Sequence, residues 1–479
     1  MLRRTKIVAT LGPASSDQKV LERMIRAGAD LVRMNFSHGS AQDHVKRAEA
    51  VRAAALAVGR TVGILADLQG PKIRVSKFEH EKITLNKGDV FILDAAFNGP
   101  GNQQRVGLDY KDLPKDVDVG AVLLLNDGML EFDVVEVNDH EIICRVVRGG
   151  VLSNNKGINR KGGGLTAPAL TDKDKEDIQT AALIKADYLA VSFPRNGDDM
   201  RLARELMHAA GGKSLLMAKI ERAEAIPALS DIIDASDAIM VARGDLSVEV
   251  GDAAVPGLQK RMIKMARAKN RLVITATQMM ESMISSPIPT RAEVSDVANA
   301  VLDGTDAVML SAETAVGDYP VETIEAMARI CLEAERETEA HMFDRRVVQQ
   351  KFTRIDQSIA MSALFAASHF KVKAIIALTQ SGSTPLWMSR ISVGVPIFAL
   401  TPLRETLSKV TLFSGVYPIE FHSKSRGNSE EWHEIESTLV NLGLVEQGDM
   451  VVMTIGEAAG KTGHTNTMKI MRIGEHHKA

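Results

Sequence analysis

The sequence predicts an α/β protein built on a (β/α)8 TIM barrel, with a small β-barrel lid domain inserted near its start and a C-terminal α/β domain whose sheet is mainly parallel. Three observations predict it. Apolar runs of strand length alternate with helical stretches from Lys6 to about Asp344, with one interruption. In the interruption, from about Lys72 to Leu165, the spacing changes to short alternating strands with Gly, Asn and Asp turns. The two flanking stretches together supply eight strand–helix units over roughly 240 residues, the size of a TIM barrel. The expected boundaries are 1–70 and 167–344 for the barrel, 71–166 for the insert and 345–479 for the last domain.

In order, Lys6–Leu11 is an apolar run stopped by Gly12-Pro13, and Val20–Ala29 is a helix closed by Gly28. Leu31–Phe36 is the second strand, Ala41–Val58 an Ala-rich helix, and Thr61–Asp67 the third strand. The insert reads KITLNKGDVFILD, AVLLLNDGMLEFDVVEV and HEIICRVVRGG, and leaves through the glycine-rich SNNKGINRKGGG. Five further strands end at Phe193, Glu221, Asp245, Gln278 and Glu313, each followed by a helix. The last domain restarts with a helix and four apolar runs, AIIALTQSG, VPIFALTP, VYPIEF and DMVVMTIG.

The 479 residues suffice for two to four domains with ample cores. Basic residues number 58 and acidic ones 61, and aromatics are 4%. That balance gives neither the positive field nor the stacking surface of a nucleic-acid binder. Cys144 and Cys331 are too few and too far apart for a disulfide framework or a zinc site, and read as reduced core cysteines. No apolar run has the length of a signal peptide core or a membrane span, so a cytoplasmic protein without membrane or nucleic-acid partners is expected.

In a barrel of this kind the chemistry lies at the strand C-termini. The stretch Leu215–Asp245 holds two apolar runs that end in charge, at Lys219-Ile220-Glu221 and at Arg243-Gly244-Asp245. Alternation along a strand puts Lys219 and Glu221 on one face, and Arg243 and Asp245 on one face. The bland alternative is an internal ion-pair cluster. Against it, the other strand ends add Arg33, Asn35, Ser37 and His38; then Asp67, with Gln69, Lys72 and Arg74 beyond it; and Thr275, Thr277, Gln278, Ser311 and Glu313. Glu221 and Asp245 are hard oxygen ligands of the kind Mg²⁺ takes when substrate oxygens complete its shell. Guanidinium groups at Arg33 and Arg74 suit phosphate, and Lys219 suits charge developing on a phosphoryl group or an enolate oxygen. Gly244 admits backbone N–H groups to an anion at a helix start. Thr277 and Ser311 can orient substrate or relay a proton through water. The expected substrate is a small phosphorylated or carboxylated anion.

Two motifs are decoys. GEAAGKT at Gly456–Thr462 has three residues between its glycines where a Walker loop needs four, and no Gly-x-Gly-x-x-Gly opens a βα turn. Met279, Met280 and Met283 sit at helical spacing and read as packing.

MNFSHG, DLQGPKIR, AKIE, MVARGDL, ATQMMESM and PTRAEVSDVANAVLDGTDAVMLSAET closely resemble the pyruvate kinase family, and the resemblance covers essentially the whole chain. It implies phosphoryl transfer from phosphoenolpyruvate to ADP, giving pyruvate and ATP, with Mg²⁺ as cofactor and Mn²⁺ as the alternative. It implies that Lys219 stabilises the phosphoryl transition state and the enolate, and that Glu221 and Asp245 hold the divalent metal. Gly244, Asp245 and Thr277 would hold the carboxylate end, with Arg33 on the substrate. Arg74, His38 and Lys156 would contact the nucleotide phosphates, with Asn35 beside them. Asn35, Ser37, Asp67 and the carbonyl of Leu68 match the monovalent-cation site. The insert would close over the barrel mouth, and the assembly would be a homotetramer.

Potassium-dependent members carry Glu where this chain has Lys72, and Thr-Lys where it has Leu68-Gln69. An ammonium beside the Asp67 site could supply the charge of K⁺, so catalysis without added K⁺ is expected, as in the potassium-independent, metabolite-activated bacterial type. TQSGST resembles the family's effector phosphate loop: Thr379, Ser381, Gly382, Ser383 and Thr384 would form a phosphate nest, assisted by Lys461. Activation by a phosphorylated metabolite follows. Two other classes compete: a metal-dependent barrel lyase working through a pyruvate enolate, which would not need the lid, Arg74 or Lys156; and a catalytically silent metabolite-binding protein.

Overall fold

A computed structural model describes residues 2–338, 352–423, 429–456 and 465–475. Eight parallel strands close into a barrel in sequential order. They are β1 (Lys6–Thr10), β2 (Leu31–Asn35), β3 (Gly63–Asp67), β4 (Tyr188–Val191), β5 (Leu215–Ile220), β6 (Ala238–Ala242), β7 (Leu272–Ala276) and β8 (Ala307–Leu310). The strands are almost wholly buried because the helices cover them outside and their own side chains fill the interior, which is why they read as continuous apolar runs. Val8, Leu31, Leu65, Tyr188, Met217, Met240, Ile274 and Met309 line the inside. The helices pack outside through Met24, Ile25, Val51, Ile178, Met262, Met280 and Met283, which confirms the Met279–Met283 group as packing.

Helix starts follow the local chemistry. Ser40 and Thr290 each cap a helix with a reciprocal capping box to Asp43 and Glu293. Gly28 and Gly59 close helices at positive φ, where a side chain would be strained.

The insert is a curled six-stranded sheet with a two-stranded ribbon beside it. Its core is formed by Phe91, Phe132, Leu123, Ile142 and Val146. The hairpin between Val122–Leu125 and Leu130–Val137 turns at Asn126-Asp127-Gly128, all three at positive φ. The insert rejoins the barrel through Gly162, Gly163 and Gly164, again all at positive φ, where a Cβ on Gly163 would meet the Glu224 carboxylate at 2.6 Å.

The last domain holds β9 (Ala374–Leu378), β10 (Ile397–Thr401), β11 (Val416–Glu420), β12 (Met450–Ile455) and β13 (Thr467–Arg472). The sheet order is β11-β10-β9-β12-β13, with β13 antiparallel to β12. This fifth strand corrects the expectation of four runs. TMKIMR is half exposed at a sheet edge and lacks the apolar continuity of a central strand. The interior of the barrel and one face of this domain form a single apolar core, joining Val8, Tyr188 and Met309 to Leu364, Met388 and Phe413. Among the described residues no helix is long and apolar enough to cross a membrane.

Candidate active site

The charged residues of the barrel rim converge. Lys219, near the end of β5, places Nζ 2.9 Å from Glu221 Oε1 and 3.3 Å from Asp67 Oδ1 at the end of β3. Arg33 of β2 pairs its Nε with Asp67 Oδ2 at 2.5 Å and donates from Nη1 to Thr10 Oγ1 at 3.2 Å. Asn35 lies opposite Asp67 in the β2–β3 register, and Asn35 Oδ1 accepts from the Ser37 N–H at 3.1 Å. Glu221 Oε2 accepts from the Phe193 N–H at 3.0 Å, tying the end of β5 to that of β4. Asp67, Glu221 and Lys219 are all but closed to solvent, with side-chain exposures of 1%, 2% and 12%.

Burial sets the electrostatics. It acts against the Lys219 charge, yet Asp67 and Glu221 outweigh it and hold the ammonium above the ordinary lysine range. Burial also opposes ionised Asp67, but Lys219 and Arg33 overcome it and keep that carboxyl low. Glu221 is pushed up by burial; Lys219 opposes this and Asp245 adds repulsion. Two mutually repelling carboxylates at one mouth, one of them deeply buried, are what a hard divalent cation relieves, so the donor set fits Mg²⁺ or Mn²⁺.

The alternation argument holds for Lys219 and Glu221 but fails for Arg243 and Asp245. β6 stops at Ala242, and residues Arg243–Val250 form a helix. Helical geometry turns residues two apart to different sides. Asp245 faces the mouth, where Lys72 Nζ lies 3.2 Å from its Oδ1. Arg243 turns outward, pairs with Asp296 at 2.7 Å, and donates to the carbonyls of Thr277 at 2.7 Å and Ala276 at 3.2 Å. Those contacts clamp a strained turn: Thr277 and Gln278 have φ of 67° and 52°, and a β-branched residue avoids that region. Thr277 Oγ1 in turn accepts from the Gly244 N–H at 2.9 Å, so Gly244 meets the site through Thr277 rather than with a free N–H.

The position of Lys72 also corrects an expectation. Its ammonium sits against Asp245, with Asp127 at 3.9 Å, and not beside Asp67, whose charge Arg33 and Lys219 already answer. The Leu68 carbonyl accepts from Ser192 Oγ at 2.7 Å. Glu313 is structural: its oxygens accept from the N–H groups of Ser311 at 2.6 Å and Met280 at 3.2 Å. Ser311 is half-buried at the end of β8. His38 is exposed in the turn after β2, and its side chain makes no hydrogen bond or ion pair among the described residues.

The insert sits on this rim. Arg74 donates from Nη1 to the Asn155 carbonyl at 3.4 Å, next to Lys156, and bridges to Gly157. A narrow cleft between insert and barrel is lined by Lys72, Asn159, Phe193, Arg222, Asp245 and Glu249. Glu249 joins the two: its Oε1 accepts from Asn159 Nδ2 at 3.4 Å, its Oε2 from the Ala223 N–H at 2.8 Å, and its carbonyl from the Gly162 N–H at 3.0 Å. Burial, with added repulsion from Glu224, pushes the Glu249 carboxyl up to about 7. The folded chain therefore keeps a proton that the unfolded chain gives up near pH 4.5. The associated stability is full below that pH and is lost as pH rises through about 7. Thermal melts across this window should show the decline in the parent and a shallower one in Glu249→Gln; parallel curves would contradict the assignment.

Of the effector residues, Thr379 Oγ1 accepts from the Gly382 N–H at 2.9 Å, and Thr384 Oγ1 meets Thr465 Oγ1 at 2.7 Å. Ser381 Oγ and Ser383 Oγ share a hydrogen bond; Thr379, Ser381 and Gly382 lie in the turn after β9, and Ser383 and Thr384 open the helix that follows. Lys461 lies outside the described residues, as does most of the GEAAGKT decoy.

Sequence reasoning missed Ser192, Glu249, Asp296 and Thr10. Ser192 follows β4 directly and could have been found by the same strand-end rule, since it is the first polar residue after the apolar run in DYLAVSF. Thr10, the last residue of β1, was open to the same rule, whereas Glu249 and Asp296 owe their places to tertiary contacts that no spacing reveals.

Residues 2–324 match the family model described as pyruvate kinase, barrel domain, and residues 357–471 that described as pyruvate kinase, alpha/beta domain. The chain is 55% identical over 477 residues to "Pyruvate kinase II" of Salmonella typhimurium, covering 98% of this chain and 99% of that protein. It is 54% identical over 473 residues to a pyruvate kinase of Haemophilus influenzae, covering 98% of each. A pyruvate kinase of Mycobacterium intracellulare is 40% identical over 481 residues, covering 99% of each. With both domain models and full-length relatives in agreement with the fold and the rim chemistry, the chain belongs to the pyruvate kinase family.

Proposed function

We propose that this rim transfers the phosphoryl group of phosphoenolpyruvate to ADP, giving pyruvate and ATP, with Mg²⁺ or Mn²⁺ held by Glu221 and Asp245. The observation that carries this reading is the Lys219 ammonium, held between Asp67 and Glu221 at the barrel mouth with Asp245 facing them. A divalent cation bound there supplies Lewis-acid polarisation of phosphate and enolate oxygens. Lys219 meets the charge on the phosphoryl group in flight and on the enolate oxygen it leaves. Arg33, fixed by Asp67 and Thr10, grips phosphate. Thr277 and Asp245 hold the carboxylate end, with Gly244 taking part through its N–H on Thr277 Oγ1. Thr277 and Ser311 orient the substrate and pass a proton, through water, to the enolate carbon.

In this reading Arg74 and Lys156 on the insert, with His38 and Asn35 on the barrel, take the nucleotide phosphates. The insert closes over them and keeps water from the donor phosphoryl group. Asn35, Ser37, Asp67 and the Leu68 carbonyl form the monovalent-cation seat. Lys72 brings a fixed charge to the same mouth through Asp245, so turnover needs no K⁺. Assays in sodium- and potassium-free buffer should then gain little on adding KCl, whereas a large activation would sink that point. The turn at Thr379–Thr384, with Lys461, takes a phosphorylated effector, and the working form is a cytoplasmic homotetramer. Saturation curves with sugar phosphates and AMP test the effector; curves that all superimpose on the control argue against it.

A coupled assay tests the whole reading. Pyruvate should form from phosphoenolpyruvate only when both ADP and a divalent cation are present. Pyruvate release independent of ADP would indicate the lyase, and no turnover at all the silent binder.

A further inference from the structure

Ser192 lies at the end of β4, 1% exposed, between two anchored neighbours. Phe193 beyond it is held at a φ of 56°, with its N–H on Glu221 Oε2. Gly70 packs against its other side, where a Cβ would stand 2.7 Å from Ser192 Cβ. The side chain therefore has one place to go. Its Oγ–H donates to the Leu68 carbonyl at 2.7 Å, and Leu68 is itself fixed by its N–H on the Ala190 carbonyl at 3.0 Å. A hydroxyl has one proton. With that proton committed to Leu68, only lone pairs face the site, and one of them accepts from Lys219 Nζ at 2.8 Å.

The Lys219 ammonium thus has three partners: ion pairs with Glu221 Oε1 at 2.9 Å and Asp67 Oδ1 at 3.3 Å, and a hydrogen bond to Ser192 Oγ. The first two have competing claims. Glu221 belongs to the proposed metal seat, and Asp67 is gripped by Arg33. Ser192 alone has no rival cation among the described residues, and being neutral it aims the ammonium without lowering the charge available to substrate. We propose that Ser192 is a positioning residue for Lys219, a hydroxyl of fixed polarity that holds the ammonium on the line of phosphoryl transfer. This rests on the role given to Lys219 under the proposed function.

Two variants test it in the full-length enzyme with Mg²⁺. Ser192→Ala removes the acceptor. Ser192→Cys keeps most of the volume but offers only a weak one. Both should lower kcat by about tenfold to a hundredfold, the usual cost of losing an orienting partner. The KM for phosphoenolpyruvate should move less than about threefold, since an aiming contact acts on the transition state. The Mn²⁺ affinity of each variant, read by electron paramagnetic resonance, should equal that of the parent. A kcat within about twofold of the parent in both variants would overturn the proposal. So would a matching loss of Mn²⁺ affinity, which would make Ser192 a support of the metal seat. Lys219→Met separates the two levels of inference. If that variant is slow while the Ser192 variants are normal, only the role of Ser192 fails. If it turns over normally, the role of Lys219 fails and that of Ser192 with it.

Discussion

Lys219→Met should lower kcat by at least about a hundredfold, the cost of removing one preorganised charge from a water-poor site. Methionine keeps the apolar stem and much of its volume, so the loss reports the ammonium. The reason for so large an effect is that the charge is already desolvated and aimed before substrate arrives. Two ion pairs and one hydrogen bond hold it, and the side chain is only 12% exposed. An interaction made mainly in the transition state lowers kcat and kcat/KM together, and that pattern is expected. Removing the cation also leaves Glu221 buried against the repulsion of Asp245 and Asp67, so the pH dependence of the residual activity should change. Steady-state kinetics across pH check both points; near-normal turnover would contradict the role assigned to Lys219.

Asp306→Ala should cost about 3–5 kcal/mol of stability, because it strands a buried guanidinium. Asp306 precedes β8 and is fully buried. Its carboxylate receives Arg390 through both terminal nitrogens, and one oxygen also accepts from the Val273 N–H of β7 at 2.9 Å. Arg390 follows the Ser383–Ser389 helix of the last domain and donates as well to the Arg271 carbonyl at 2.9 Å. The pair therefore rivets the C-terminal domain to the base of β7 and β8, the strands that end near Thr277 and Ser311. Urea unfolding should show the loss. The double variant Asp306→Ala, Arg390→Met should recover part of it, since replacing both partners of a buried pair removes the stranded charge. A single-variant loss under about 1 kcal/mol would make the rivet a bystander.

Much of the barrel was legible because parallel strands buried on both faces leave unbroken apolar runs. LLMAKI, AIMVA and LVITA announce themselves, and the strand-end rule then finds Lys219, Glu221 and Asp67. Alternation misled at Arg243, which it put on the face of Asp245, because a helix beginning at Arg243 and a strand continuing through it share the same apolar lead-in. The choice between them is made by Thr277, 32 residues or more away in sequence, which takes the Gly244 N–H. The place of Lys72 was illegible for the same reason: it depends on how the insert docks, and docking rests on contacts such as Asn159 with Glu249. The edge strand β13 escaped because a half-exposed strand lacks the apolar signature of a central one.

The central claim is that Glu221 and Asp245, brought together from the ends of β5 and β6, form the divalent-metal seat beside Lys219. Mn²⁺ titration followed by electron paramagnetic resonance tests it most directly, comparing the parent with Glu221→Gln and Asp245→Asn in the presence of phosphoenolpyruvate. The account predicts one site per chain in the parent, weakened at least about tenfold in each variant. Parent-like Mn²⁺ affinity in both variants would contradict it.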